Sequence, residues 1–194
     1  MKRLLIVGLV AMNLLCLDLV TKKLAATYLK GSAAVSVIDG FFNLAYVENR
    51  GCAWGMFQGH VWPLAVFGLL ALGFIVWKRK SIFGLDGGLR TEDKGEATSM
   101  SLNKNRMLRF SAFAEPLLYA GILGNLFDRV VYGHVIDFVD LHWAEAYHFP
   151  CFNVADVCIT FAAAFLLLSS FFSGKSQASD KQRGRDTPVA SDQK

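Results

Sequence analysis

The chain has 194 residues, of which 54% are hydrophobic, and a mean hydropathy of +0.37. That is too apolar for an ordinary soluble domain of this length, and the apolar residues are bunched in uncharged runs, so a membrane-embedded protein is expected. The net charge of +4 follows from where basic residues fall between those runs, and needs no nucleic acid as partner.

In chain order, the first run is Leu4 to Leu17. A bilayer core about 30 Å thick needs roughly 20 helical residues, so this run spans only by continuing past Asp18, over about 4–26. MKR followed by an apolar run also resembles a secretory signal peptide. However, Asn13, Leu14 and Leu15 precede Cys16, where a lipid-attachment site has small residues, and no A-x-A-like site follows. A retained helix is expected, with a cleaved signal peptide as the alternative. Residues 27–60 form a connection in which SVIDGFFNLAYVENRG mixes β-branched and aromatic residues with turn formers, which predicts short strands.

VWPLAVFGLLALGFIVW gives a second span over 61–77, ending at Lys78-Arg79-Lys80. The linker 78–108 is polar and contains glycine. A third span over 109–127 is interrupted by Glu115-Pro116, and its Gly121 and Gly124 suit close helix contact. RVVYGHVIDFVDL reads as strand-like, and WAEAYHF is aromatic enough for a membrane interface. A fourth span covers 154–172, and the tail 174–194 is polar, charged and expected to be disordered. The chain is therefore read as one four-span membrane unit, 1–173, followed by that tail.

Charge placement orients the spans. Basic residues cluster at the N-terminus (Lys2, Arg3), in the middle linker and in the tail; Lys22, Lys23, Lys30, Arg50 and Arg129 fall elsewhere. Both termini and the linker are then cytoplasmic. Asp18, Asn49, Gly51, Asn125, Asp128, Arg129, Asp137, Asn153 and Asp156 gather at the opposite boundary. Ionisable groups at such depth are costly, and are usually paired or functional.

Taken singly, each has a structural reading. Asp128 and Arg129 suit an interfacial ion pair, Asn153 and Asp156 a helix cap with an acidic third residue, Asp18 a polar anchor, and Asp140 a solvated strand position. Taken together, two carboxylates within hydrogen-bond reach share a proton, so one can accept a proton from water while the other donates to a carbonyl oxygen. That suffices for metal-free amide hydrolysis. No H-E-x-x-H, G-x-S-x-G or phosphate loop is present. The spacing of His134, His142 and His148 relative to Asp137 matches no zinc pattern, and neither a metal nor another cofactor is expected. His60 reads as an interface residue. Cys16 and Cys158 read as packing residues, and a Cys52–Cys151 disulfide is left open.

Four short motifs carry a resemblance. GNLFDRVVYGHVIDF, FNVADVCIT, NRGCAWGMF and DLVTKKLA together resemble the bacterial lipoprotein signal peptidases, also called signal peptidase II. The resemblance implies four membrane helices with an extracytoplasmic β-cradle and an interfacial helix. It implies a monomeric, multi-pass enzyme of the bacterial inner membrane, its active site at the outer face, inhibited by globomycin. The implied substrates are diacylglyceryl-modified prolipoproteins, cut on the amino side of the lipidated cysteine amid membrane lipids. Carried onto this sequence, the catalytic residues are Asp137 and Asp156. The supporting residues are Asp18, Lys22, Asn49, Gly51, Asn125, Asp128, Arg129, Asn153 and Ala155. The long linker, the tail and Glu115-Pro116 depart from the family's compact plan on the other face. A proton-coupled carrier using Asp18, Asp128 and Asp156 is the rival from another class; it would need acids at mid-depth. A structural membrane subunit whose acids only cap helices is a further one.

Overall fold

The computed structural model describes the backbone of residues 2–52, 56–83, 99–143 and 147–186, and the side chains of all of these except 99–109 and 172–186. In chain order the elements are α1 (Lys2–Tyr28), β1 (Val35–Ile38), β2 (Phe42–Asn49), α2 (Val61–Trp77), α3 (Arg79–Ile82), α4 (Ser99–Tyr132), β3 (Val135–Trp143), β4 (Tyr147–His148) and α5 (Val154–Asp186). The architecture is mostly helical with a small antiparallel sheet. Three stretches, Lys2–Tyr28, Phe110–Tyr132 and Val154–Phe171, are long and apolar enough to cross a membrane, and Val61–Trp77 is a shorter apolar helix.

α4 is the hub, packing against α1, α2 and α5. Of its apolar stretch 44% is buried, against 17% in α1 and 22% in α5. The outer helices accordingly leave Leu5, Leu9, Phe67, Leu70, Phe161 and Leu167 exposed, as a lipid-facing surface requires. Small residues set how closely α4 meets α5. A Cβ on Gly121 would lie 2.6 Å from the Ala155 carbonyl oxygen, and one on Gly124 would lie 2.4 Å from Asp18 Oδ2. Close approach therefore requires glycine at both positions.

At the end of the bundle away from the sheet, Phe83, Ala114 and Ala162 form a core with Ile75, Leu117 and Phe165 around it. α4 runs unbroken through Pro116, where the sequence suggests an interruption. Tightly packed neighbouring helices tolerate the missing N–H, and Glu115 is fixed by ion pairs to Arg3 and Arg79.

Three further boundaries differ from expectation. α4 begins at Ser99, inside the expected linker, and runs to Tyr132, past the expected end at 127 and through residues 129–132 that read as strand-like, while α5 continues to Asp186, inside the tail expected to be disordered. Extending a helix that is already nucleated costs little, and Lys, Gln, Arg and Ala in 174–186 are adequate helix formers. Residues 84–98 of the linker and 187–194 of the tail lie outside the described residues.

The sheet has the order β1-β2-β3-β4, all antiparallel. β2 pairs with β3 so that Val47 faces Asp137 and Asn49 faces Val135, after an irregularity between Leu44 and Val47. Side chains alternate along β3. Ile136 and Phe138 pack on Ala25 of α1, with Leu44, Tyr46 and Val154 around them. Asp137 therefore points the other way. Gly133, at φ 72°, ends α4 in the left-handed conformation and donates to the Arg129 carbonyl, turning the chain directly into β3. The interfacial helix implied by the resemblance has no counterpart among the described residues of the two connections on the sheet side; 56–59 forms turns.

Candidate active site

Asp137 is buried with 1% of its surface exposed. Its Oδ2 accepts from Asn49 Nδ2 at 2.9 Å and its Oδ1 from Asn153 Nδ2 at 2.6 Å. Asn153 reaches this position because β3 is bridged to the segment before α5. Phe138 and Val139 donate their N–H groups to the Phe152 carbonyl, and Phe152 N–H donates back to Val139.

Asp156 lies in the first turn of α5. Its N–H donates to Asn153 Oδ1 at 3.0 Å, and the Asn153 N–H donates to Asp156 Oδ2 at 3.2 Å. This reciprocal cap is the one the spacing suggests. The same two residues also face the site. Asn125 Nδ2 donates to Asp156 Oδ1 at 2.7 Å, while Asn125 Oδ1 accepts from Asn153 Nδ2 at 3.2 Å. Two amides, Asn125 and Asn153, thus link the two carboxylates.

Burial pushes the Asp137 carboxyl up to about 7, with repulsion from Asp156 adding to it; the bonds from Asn49 and Asn153 and the Lys22 charge hold it back. Asp156, in the first turn of α5, is the carboxyl whose repulsion acts on Asp137.

A buried ion cluster supports these amides. Lys22 Nζ lies 2.8 Å from Asp18 Oδ2, 3.0 Å from Asp128 Oδ2 and 3.2 Å from Asn125 Oδ1. The Asp18 contact is an ion pair without hydrogen-bond geometry. Asp18 Oδ1 accepts the Ala155 N–H at 2.8 Å, and Asp128 Oδ2 accepts the Ile136 N–H at 3.1 Å. One ammonium thereby ties α1 to α4, to the start of α5 and to the start of β3.

This corrects the Asp128–Arg129 ion pair that adjacency suggests. Neighbours in a helix point about 100° apart, so Asp128 turns inward to Lys22. Arg129 instead donates to the carbonyls of Asn125, at 3.3 Å, and Gly51, at 2.9 Å. Its charge acts on both Asp156 and Asp137. Gly51 N–H in turn donates to Asn49 Oδ1 at 2.9 Å, which leaves the Asn49 amide hydrogens for Asp137. A Cβ on Gly51 would lie 2.5 Å from the Met56 carbonyl oxygen, so this turn also requires glycine. Ala155 is buried against Gly124.

The candidate residues named from sequence thus converge on one place. Gly124 belongs with them, although only its helix-contact role is visible in the sequence. Cys151 carries a free thiol, so no disulfide joins it to Cys52.

The family model described as Signal peptidase (SPase) II matches residues 10–89 and 96–172. A lipoprotein signal peptidase of Clostridium acetobutylicum is 36% identical over 142 residues, covering 73% of this chain and 78% of that protein. One from Tolumonas auensis is 37% identical over 135 residues, covering 70% of this chain and 71% of that protein. Among solved structures, a bacterial membrane enzyme determined by the in meso method superposes with a TM-score of 0.63 at 26% identity, covering 94% of this chain and 93% of the other.

Proposed function

This chain belongs to the signal peptidase II family of membrane aspartic proteases, which remove signal peptides from prolipoproteins, and from that premise we propose that Asp137 and Asp156 are its catalytic pair. The carrying observation is that Asn153, which donates to Asp137 Oδ1 at 2.6 Å, also caps Asp156 through its backbone N–H. Two carboxylates tied by one residue, in an environment that raises one of them, are arranged to share a proton.

The reaction starts with the shared proton on Asp137. Asp156 takes a proton from water as the oxygen adds to the scissile carbonyl carbon. Asp137 gives its proton to the carbonyl oxygen, and a tetrahedral diol forms. Collapse of the diol returns a proton to Asp137 and breaks the C–N bond, while Asp156 protonates the leaving amine. The substrate bond is the one on the amino side of a diacylglyceryl-modified cysteine, whose acyl chains remain among the membrane lipids. Asn49, Asn125 and Asn153 hold the carboxylates in position. Arg129, through Gly51, holds the turn beside them.

In this reading α2 crosses the membrane with the other three helices, giving a multi-pass protein of the inner membrane. Both termini are cytoplasmic, and the sheet forms an extracytoplasmic cradle. Arg3 and Arg79 at the Glu115 end support this orientation, since basic residues favour the cytoplasmic side.

The test is cleavage of a diacylglyceryl-modified lipopeptide by purified protein. Wild type should cut, be blocked by globomycin and be indifferent to chelators. Asp137→Asn and Asp156→Asn should each lose at least about 10³-fold in rate, the scale on which acid–base groups act. Normal cutting by either variant would rule out the pair.

A further inference from the structure

The β3–β4 hairpin carries a second group of side chains that the hydrolytic reading leaves unused. His142 and His148 are partners across the strands, and their rings stack 5.2 Å apart at 18°. Asp140 shares a strand face with His142. Its Oδ1 lies 3.5 Å from His148 Nδ1, and its Oδ2 lies 4.0 Å from His142 Nδ1. One ligand atom from each of the three falls within 4.8 Å of the others. Among the described residues, His142 Nδ1 is buried without a hydrogen-bond partner.

We propose that Asp140, His142 and His148 bind a divalent transition-metal ion of the zinc class, as a clip across this hairpin. Two imidazoles and a carboxylate are the donors such ions prefer, whereas magnesium and calcium prefer oxygen alone. Ligand atoms about 2.0–2.2 Å from a tetrahedral ion stand roughly 3.4 Å apart. The 3.5 and 4.0 Å contacts go to different oxygens of Asp140, and one atom from each residue lies within 4.8 Å of the others, so the three side chains would draw inward to reach that geometry. His148, with 60% of its side chain exposed, is free to do so. The fourth position would be left to water. Asn43 lies opposite Asp140 on β2 and donates to its Oδ2 at 3.4 Å, the orienting contact that metal-bound carboxylates commonly have.

The ordinary alternative makes Asp140 a surface acceptor for His148. It leaves His142 Nδ1 buried and, among the described residues, unpartnered, a desolvation cost that a bound ion would remove. His134 belongs to a different group, with Tyr46 and Glu48. Linear spacing hides the trio because strand pairing, not helical repeat, assembles it.

The ion would touch neither Asp137 nor Asp156. From β4 the chain returns through Phe149, whose N–H donates to the Leu141 carbonyl, and Phe152, bridged to Val139, to reach Asn153. A clip at the hairpin would therefore add thermal stability to the strand leading to Asn153, while the Phe152 bridge to β3 holds Asn153 in place without the ion and keeps cleavage indifferent to chelators. Metal binding stands independently of the hydrolytic mechanism; only this consequence rests on it.

The experiment uses the untagged full chain in detergent, stripped of metal and titrated with zinc chloride while thermal unfolding is followed. A saturable rise in Tm, reversed by EDTA, is expected. Bound Cu2+ should show hyperfine coupling to two imidazole nitrogens. His148→Ala, at an exposed position that folding tolerates, and Asp140→Asn should each weaken zinc binding by about 100-fold or more. His134→Ala should leave it unchanged. Asp137→Asn should abolish cleavage yet keep the zinc-dependent rise, which separates failure of the catalytic pair from failure of this site. No zinc-dependent rise in wild type, or an undiminished one in His148→Ala, would overturn the proposal.

Discussion

Asp137 shows how burial becomes chemistry at a single residue. An ordinary aspartate carboxyl ionises near 3.8, and in the folded chain this one is raised to about 7. Between those values the folded state holds a proton that the unfolded chain has released. Stability should therefore fall as pH rises from about 4 to about 7 and level off above, by on the order of 4 kcal/mol if the whole shift is expressed. Asp137→Asn should flatten that slope, as read by thermal unfolding at several pH values. The gain above pH 7 will be partial, because Asn49 and Asn153 both donate to Asp137 and an amide there meets one of them with its own N–H. Wild-type kcat/KM should decline as Asp137 loses its proton above about pH 7. A rate level through pH 9 would mean that Asp137 is not the acid.

At the scale of elements, the α4–α5 contact makes the site because glycine lets α4 come close. Gly121→Ala would press a methyl against the backbone of Ala155 and Ile159, which cannot swing aside. Gly124→Ala would meet Asp18 Oδ2 and the Ala155 Cβ. Each should cost about 1–3 kcal/mol in thermal stability, and each should reduce cleavage by displacing the start of α5. Gly68→Ala and Gly73→Ala on α2 have nothing within 4 Å of the added carbon. These should be neutral or stabilising by up to about 1 kcal/mol. Equal losses at all four positions would show that helix propensity, not close packing, explains these glycines.

Much of this was legible in the sequence. β-Branched and aromatic residues mixed with turn formers marked β2 and β3, and the Asn153–Asp156 spacing marked the cap of α5. What the sequence could not give depends on three-dimensional neighbours. Whether a helix survives Pro116 depends on the packing around it and on Arg3 and Arg79 meeting Glu115, residues far apart in the chain. Adjacency misled for Asp128 and Arg129, because helical geometry sends neighbouring side chains apart.

Across the whole molecule, α4 is anchored near each end by buried charge. Glu115 holds Arg3 and Arg79 at one end, and Lys22 lies between Asp18 and Asp128 at the other. The second cluster joins α1, α4 and the starts of α5 and β3, the elements that supply the site apart from Asn49 and Gly51. Removing its cation alone leaves two buried carboxylates facing each other, a loss of about 3–5 kcal/mol. Lys22→Met should therefore unfold at much lower temperature and lose cleavage. Both carboxylates also accept backbone N–H groups, from Ala155 and Ile136, and asparagine can still accept these through its oxygen. The triple variant Lys22→Met, Asp18→Asn, Asp128→Asn leaves no ion in this cluster, and should recover most of the lost stability in the same unfolding measurement. Its cleavage should remain below wild type, because the Lys22 charge also restrains Asp137 and its Nζ holds Asn125 Oδ1. Stability returning without full activity would separate the cluster's part in holding the helices together from its part in setting the proposed pair, Asp137 and Asp156.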